Sequence, residues 1–215
     1  QLLMFLQHGV TPQVPSQGSV GYLTHMAHIG LALMGVGDVL WQGRTWSAAE
    51  VLSQLNLQPI APGAKEGLSL VNGTPCMTGL ACLALDDAER LMNWADVTGA
   101  MSFEALRGQL VAFDAEILAL KASPGIQTSG QRLRELLAGS RLLAESEGLR
   151  TQDALSLRSM PQVHGACRDQ FSHAQTQINI ELNACTDNPL ILGTLEQWRV
   201  VSQAHPHGES VAMAC

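Results

Sequence analysis

The stretch Gly18-Ser19-Val20-Gly21 leads directly into Tyr22-Leu23-Thr24-His25-Met26-Ala27-His28, where apolar residues begin to recur at helical spacing. Two glycines three positions apart, just before a helix, mark a loop whose backbone turns sharply or approaches another group closely. The amides at the start of the following helix favour negative charge there. Ordinary turn chemistry produces the same pattern, so the loop alone identifies no function.

Outward from this loop, most of the chain has a helical pattern. Apolar spacing, capping residues and glycine or proline breaks predict helices over 2–8, 22–34, 48–55, 65–71, 75–100, 127–143 and 162–183. Short hairpin strands are expected at 39–46 and 190–202, and an irregular segment at 151–161. The predicted fold class is therefore all-α, a bundle of long helices with minor short β-hairpins.

Three details of these helices are also predicted. Met77–Leu85 is small and apolar on every face, which favours a helix buried on all sides. The charges of the 127–143 helix, Arg132, Arg134 and Glu135, are expected on its solvent side. Lys65-Glu66 cannot face each other on a helix, so each is expected to contact a neighbouring segment.

Composition limits the possible partners of the chain. Charged residues are 14% of the 215, against about 25% in soluble domains, so burial against other subunits is expected. Membrane insertion is the alternative, but no uninterrupted apolar run approaches 18 residues. The net charge of −7 argues against nucleic-acid binding. Five cysteines with no C-x-x-C pair fit reduced thiols in the cytoplasm.

Three later stretches add to the glycine loop. They are residues 64–74, ending in Asn72-Gly73-Thr74; residues 151–165, ending in His164-Gly165; and residues 183–190, followed by His207-Gly208-Glu209. In this order and spacing they resemble the aromatic amino acid ammonia-lyase family, and its histidine ammonia-lyases most closely, over nearly the whole chain. The resemblance implies a helical fold of the fumarase/aspartase-like type.

The resemblance also implies an activity. Family members remove ammonia from histidine or an aromatic amino acid and leave the α,β-unsaturated acid. They use no diffusible cofactor and no metal; an Ala-Ser-Gly tripeptide cyclises to a methylidene-imidazolone electrophile. They are homotetramers whose active sites combine loops from three subunits. The small amino-acid substrate and the homo-oligomer are thus the expected partners, with no nucleic acid and no membrane.

The ring-forming tripeptide is missing from this chain. Gly21 is followed directly by Tyr22, where the family has Ala-Ser-Gly and then Asp. Either the deletion is real, or the cyclised ring counts as one non-standard residue that the sequence leaves out. The second account requires the neighbouring Asp, and Tyr22 stands there instead, so a real deletion is favoured.

The resemblance assigns site residues position by position. Asn72 matches the active-site asparagine, Gln152 a site glutamine and Arg158 the arginine that binds the substrate carboxylate, while Gly18-Ser19-Val20-Gly21-Tyr22 matches the ring loop. A guanidinium suits a carboxylate because its planar fork makes paired hydrogen bonds. Each residue also has an ordinary structural alternative. Asn72 could stabilise a turn, Gln152 could cap a helix or face solvent, and Arg158 could be a surface arginine.

Two departures fall on the reaction centre. Leu155 stands where the family has a tyrosine that handles protons, and leucine transfers none. His205-Pro206-His207-Gly208 replaces Asn-Phe-His-Gly.

The histidines, including His25, His28 and His164, lack a carboxylate or cysteine at ligand spacing, so structural roles are expected rather than a metal site.

Two functions remain open on the sequence. The chain is a carbon–nitrogen lyase, or it is a non-catalytic homologue that keeps the amino-acid pocket or the assembly surface. Its ends look cut, so residues 1–215 are expected to be the central, active-site-bearing part of one domain whose N- and C-terminal parts are missing. The substrate, and a choice between lyase and aminomutase, are not specified by these residues.

Overall fold

The computed structural model describes residues 1–19 and 21–202. These residues form two compact units, one of residues 1–77 with 184–202 and one of residues 78–183. Helices dominate both the sequence pattern and the structure, and the predicted helical class is confirmed.

The first unit combines short helices with two small antiparallel sheets. Its helices are α1 (Leu2–Gln7), α2 (Leu23–Leu33), α3 (Ala48–Gln54) and α4 (Glu66–Val71). Strands β1 (Thr11–Pro12), β2 (Asp38–Trp41) and β3 (Arg44–Ser47) form one sheet, with β2 in the centre. Strands β4 (Leu190–Gly193) and β5 (Trp198–Val201) form the other. Both predicted hairpins are therefore confirmed.

The core of the first unit lies between α2, α3 and the three-stranded sheet. Its buried residues are Phe5, Val10, Ala32, Leu33, Val39, Trp41, Ala48, Val51 and Leu52. Alternation along β2 sends Val39 and Trp41 inward and leaves Leu40 exposed. Ser47 ends β3 and caps α3 in a reciprocal capping box with Glu50, as its sequence position predicts.

The second unit is a helical bundle. It contains residues 78–105 of α5 (Pro75–Ala105), a 3₁₀ turn (Leu110–Phe113), and helices α6 (Ala115–Ala119), α7 (Pro124–Leu136), α8 (Arg141–Ser146), α9 (Leu155–Arg158) and α10 (Met160–Leu182). Phe103 and Phe113 stack with ring centroids 4.5 Å apart at the centre of its core.

Helices α7 and α10 cross at a pair of glycines. A Cβ added at Gly165 would collide with the backbone of Ile126, and one added at Gly125 would collide with the carbonyl of Gly165. No side chain fits between the two helix backbones at this point. The glycine of His164-Gly165 is thus explained by helix packing, because only glycine permits so close an approach.

Three helical predictions are wrong. The single helix expected over 127–143 is two helices, because the chain turns at Gly139, where φ is +77°, and Ser140 caps a new helix. Residues 151–161 are not irregular throughout, since α9 and the start of α10 lie there. The expected solvent face of α7 is also wrong for Arg132, which pairs with buried Asp96, and for Arg134, which donates to the Phe113 carbonyl.

The first half of α5 differs from its prediction as well. In this chain Leu80 and Leu83 are more than half exposed, so Met77–Leu85 is not buried on all sides. Among the described residues, Glu66–Ala105 is long and apolar enough, by length and composition alone, to cross a membrane. Core helices of soluble proteins pass the same test, so this finding carries little weight.

Candidate active site

The glycine loop closes on the start of α2. Gly18 and Gly21 both have positive φ, at +92° and +62°, which explains why both positions of the loop are glycine. Ser19 Oγ accepts a hydrogen bond of 3.0 Å from the Thr24 amide. Tyr22 precedes the helix in a left-handed conformation, is 48% exposed, and has its ring 5.9 Å from that of His25. Val20 lies outside the described residues.

Asn72 ends the helix that packs against α2. Gly30 of α2 faces Leu70 of α4, so the helix that follows the glycine loop and the helix that ends at Asn72 are neighbours. The Asn72 amide nitrogen Nδ2 donates to Asp187 Oδ1 at 3.0 Å and to the Asn188 carbonyl at 2.8 Å. Within the described residues this side chain bonds through Nδ2 alone, so both of its N–H donors are engaged and its oxygen remains available as an acceptor.

Gly73-Thr74 brings the chain past Thr186. Gly73 has φ +89°, and a Cβ there would lie 3.0 Å from the Thr186 carbonyl oxygen and closer still to its hydroxyl. The Thr74 amide donates to Thr186 Oγ1 at 3.2 Å. Two motifs more than 100 residues apart, Asn72-Gly73-Thr74 and Thr186-Asp187-Asn188, therefore form one structure.

Asp187 is the centre of that structure. Its carboxylate pairs with Lys65 and accepts hydrogen bonds from Ser69 Oγ at 2.8 Å, from Asn72, and from the Asn188 amide at 2.7 Å. Burial raises the pKa of Asp187, but the bonds from Lys65, Ser69, Asn72 and the Asn188 backbone together outweigh it and lower the pKa to about 2. The carboxylate is therefore ionised at neutral pH.

Lys65 and Glu66 behave as the sequence predicts. Lys65 reaches Asp187, while Glu66 Oε2 accepts from the Gly63 amide at 2.6 Å, so the two side chains serve different segments. Asp187 itself was not identified as a site residue from the sequence. Its motif was visible as Thr186-Asp187-Asn188-Pro189, but only the fold shows that it meets Asn72.

Arg158 ends the short helix α9 in the second unit. Its side chain is half-buried, and its Nε is buried without a hydrogen-bond partner among the described residues. An unsatisfied buried guanidinium donor is costly unless a ligand or another chain supplies an acceptor. Gln152 is exposed, and Leu155 is 66% exposed.

The second unit has a carboxylate cluster of its own. Asp96 of α5 is fully buried and accepts from Arg132 Nε of α7 at 2.9 Å, from His164 Nδ1 of α10 at 2.9 Å, and from Arg168 of α10. Burial raises the pKa of Asp96, and His164, Arg168 and Arg132 together lower it below its usual value. Three helices are thus joined through one side chain.

His164 therefore has the structural role expected for it. In residues 1–19 and 21–202, no group of three or more His, Cys, Asp or Glu side chains could hold a metal ion. The departures at residues 205–208 lie outside the described residues.

Comparison with known proteins gives one family. Residues 1–215 match the family model of aromatic amino acid lyases. Histidine ammonia-lyase of Symbiobacterium thermophilum is 43% identical over 216 residues, which are 99% of this chain and 42% of that protein. Histidine ammonia-lyase of Chloroflexus aurantiacus is 43% identical over 221 residues, again 42% of its length. The chain thus spans about two-fifths of the length of these relatives.

Solved structures agree with the sequence relatives. Histidine ammonia-lyase of Trypanosoma cruzi superposes with a TM-score of 0.81 at 36% identity, covering 99% of this chain and 40% of that one. Tyrosine aminomutase of Streptomyces globisporus gives 0.83 at 34% identity, covering 99% and 44%. The two share this fold although one is named a lyase and the other an aminomutase.

Proposed function

Because this chain belongs to the aromatic amino acid lyase family, we propose that the protein binds histidine or an aromatic amino acid and eliminates ammonia, leaving the α,β-unsaturated acid. The structural observation that carries the proposal is Arg158, whose buried Nε has no hydrogen-bond partner within residues 1–19 and 21–202. A substrate carboxylate would supply the acceptor that this guanidinium lacks. Such a pair contributes roughly 1.5–3 kcal/mol as charge-assisted hydrogen bonds.

Asn72 is proposed to bind the other end of the amino acid. Its nitrogen is engaged by Asp187 and Asn188, so its oxygen can accept a hydrogen bond from the substrate ammonium. Gln152 is proposed as a third polar contact, since its exposed amide can both donate and accept. Active sites in the family combine loops of several subunits, so these residues are proposed as contributions to a pocket shared between chains.

The residues present do not fit the methylidene-imidazolone ring. Gly21 joins directly to Tyr22, both residues have φ of +62°, and no Ala-Ser-Gly lies between them. When present, the ring supplies the electrophile that makes the β-proton removable. Leu155 also supplies no proton-transferring group.

The same junction favours a second candidate function, binding of an amino acid without elimination. In that case Asn72 and Arg158 keep the pocket, and the protein acts as a ligand-binding partner or an assembly subunit of an active relative. A homotetramer in the cytoplasm, with residues 1–215 as the central part of one domain, is proposed under either function.

The test is a turnover assay on the full-length protein. Histidine, phenylalanine and tyrosine are each incubated with it; released ammonia and the near-ultraviolet absorbance of the conjugated acid are measured, and β-amino acids are sought by chromatography. The intact mass is compared with that encoded by the gene, because ring formation removes water. Ammonia and the conjugated acid would support the lyase, and a β-amino acid would indicate an aminomutase.

Without turnover, calorimetric titration of the same amino acids and their unsaturated acids distinguishes the candidates. Binding without turnover supports the second function. If neither turnover nor binding is found, elimination and amino-acid binding are both wrong, and only the assembly role of the second candidate remains.

A further inference from the structure

Four donors of the described residues surround the carboxylate of Asp187. Asn72 Nδ2 and the Asn188 amide donate to Oδ1, and Ser69 Oγ and Lys65 donate to Oδ2. Two helix ends, at Lys65 and Asn72, are thus joined to a segment 115 residues further along the chain. Four donors on one side chain fix its orientation.

The orientation of the Asn72 amide follows from these contacts. Its Nδ2 has two hydrogens, and it meets two acceptors, Asp187 Oδ1 and the Asn188 carbonyl. Reversing the amide would place the Asn72 oxygen against both acceptors and leave Nδ2 facing away from them. Two acceptor oxygens in contact repel each other, so the reversed orientation of the amide is excluded. Asn72 Oδ1 therefore points away from Asp187.

We infer that Asp187 is a positioning residue that holds the Asn72 amide in the one orientation in which its oxygen can accept from the substrate ammonium. This inference rests on the proposed function of Asn72. The proposed part of Asp187 is to act on the substrate through Asn72. A carboxylate accepts on both oxygens, whereas an asparagine at this position would have to present its NH2 donors either to Lys65 and Ser69 or to Asn72.

Lys65 has a different part in the arrangement. It pairs with Oδ2, on the opposite side of the carboxylate from the Asn72 contact. Lys65 therefore compensates the charge of Asp187 without touching the amide. Removing Ser69 Oγ, which also meets Oδ2, leaves the Asn72 contact in place.

The experiment is a double-mutant cycle in the full-length protein. Asp187→Asn, Asn72→Ala and the pair are compared by kcat and KM with histidine and with phenylalanine. Asp187→Asn is expected to lower kcat/KM by about tenfold to one hundredfold, but by less than threefold in the Asn72→Ala background. Equal losses in both backgrounds would overturn the inference, since a purely structural role is additive with loss of Asn72.

Ser69→Ala is the matched control, because it removes one bond to the same carboxylate on the side away from Asn72. Ser69→Ala should change kcat/KM by less than threefold. It should lower thermal stability only as much as the loss of one exposed hydrogen bond does. A loss as large as that of Asp187→Asn would mean that the carboxylate acts only through the fold.

A crystal structure of the Asp187→Asn protein decides the inference independently of turnover. The Asn72 amide should then rotate or lose its contact with residue 187. If the full-length protein shows no activity, the proposed function fails, and this structure still tests the positioning role. An unchanged Asn72 orientation with both Nδ2 bonds intact would refute it. If Asp187→Asn does not fold, Asp187→Glu replaces it, with the expectation that the displaced carboxylate no longer holds the Asn72 amide; an unchanged Asn72 orientation in that variant would also refute the inference.

Discussion

Asp96 and Asp187 are both aspartates held by cations, yet their surroundings differ. Asp96 is fully buried, and its partners Arg132, His164 and Arg168 come from helices of the bundle. Asp187 keeps 16% of its side chain exposed, and one of its partners, Asn72, has an oxygen left over. The first cluster uses its hydrogen bonds to join helices. The second uses them to orient the half-buried Asn72, so the same chemistry supports the scaffold in one unit and the proposed site in the other.

The largest expected effect is at Asp96. Asp96→Asn leaves Arg132 and Arg168 without their anion, and breaking a buried ion pair on one side costs about 3–5 kcal/mol. The free energy of unfolding from urea denaturation should fall by that amount. The matched control is Asp86→Asn, whose pair with Arg90 is 66% exposed on both sides, and which should change stability by less than about 1 kcal/mol. Equal effects of the two substitutions would erase the distinction between buried and exposed carboxylates.

Arg158 gives the next effect and tests whether the second unit also contributes to binding. Arg158→Ala should weaken binding of an amino acid or its unsaturated acid by about one to two factors of ten, and Arg158→Lys should restore only part, because an ammonium lacks the paired fork. Calorimetric titration of histidine, phenylalanine, urocanate and cinnamate measures this. The exposed Arg141 supplies the control, and its alanine variant should bind like the unmutated protein.

For Arg158, lower thermal stability with unaltered carboxylate binding would assign the residue to the fold. In that case Arg158 and the Asp96 cluster would both belong to the scaffold of the second unit, and the contrast between the two units would become sharper.

The smallest effect is the acid titration of Asp187. Its pKa is about 2 in the folded chain against 3.8 as the ordinary value. Because the folded pKa is the lower one, the stabilisation is complete above about pH 4 and disappears as the pH falls toward 2. The difference in unfolding free energy between the unmutated protein and Asp187→Asn should therefore shrink over that interval. A difference that stays constant down to pH 2 would show that the carboxylate is not stabilised by its partners.

Local sequence signals predicted the elements that they control. Ser47 marked the start of α3, apolar spacing marked α2, and glycines marked the hairpins. The 127–143 helix failed because the amphipathic period continues across Gly139 although its backbone turns there. Periodicity reports which face is apolar, and it is insensitive to a single residue with positive φ.

The carboxylate clusters could not be predicted in the same way. Asp96 meets its partners across 36 to 72 residues of sequence, and Asp187 meets Asn72 across 115. Nothing in the spacing of Arg132 distinguishes an arginine that turns toward a buried carboxylate from one that faces water. The Asn72 position itself was available from the family resemblance, while its orientation needed the fold.

The crossing of α7 and α10 has a consequence for how this sequence can vary over generations. At Gly125 and Gly165 even one added methyl group would collide with backbone, whereas a Cβ at Gly79 meets nothing within 4 Å. A substitution at Gly79 is therefore sterically permitted in this chain, whereas a single substitution at Gly125 or Gly165 is not. The two crossing glycines would then be retained even in descendants that had lost the reaction, because the packing of α7 on α10 requires them and the chemistry does not.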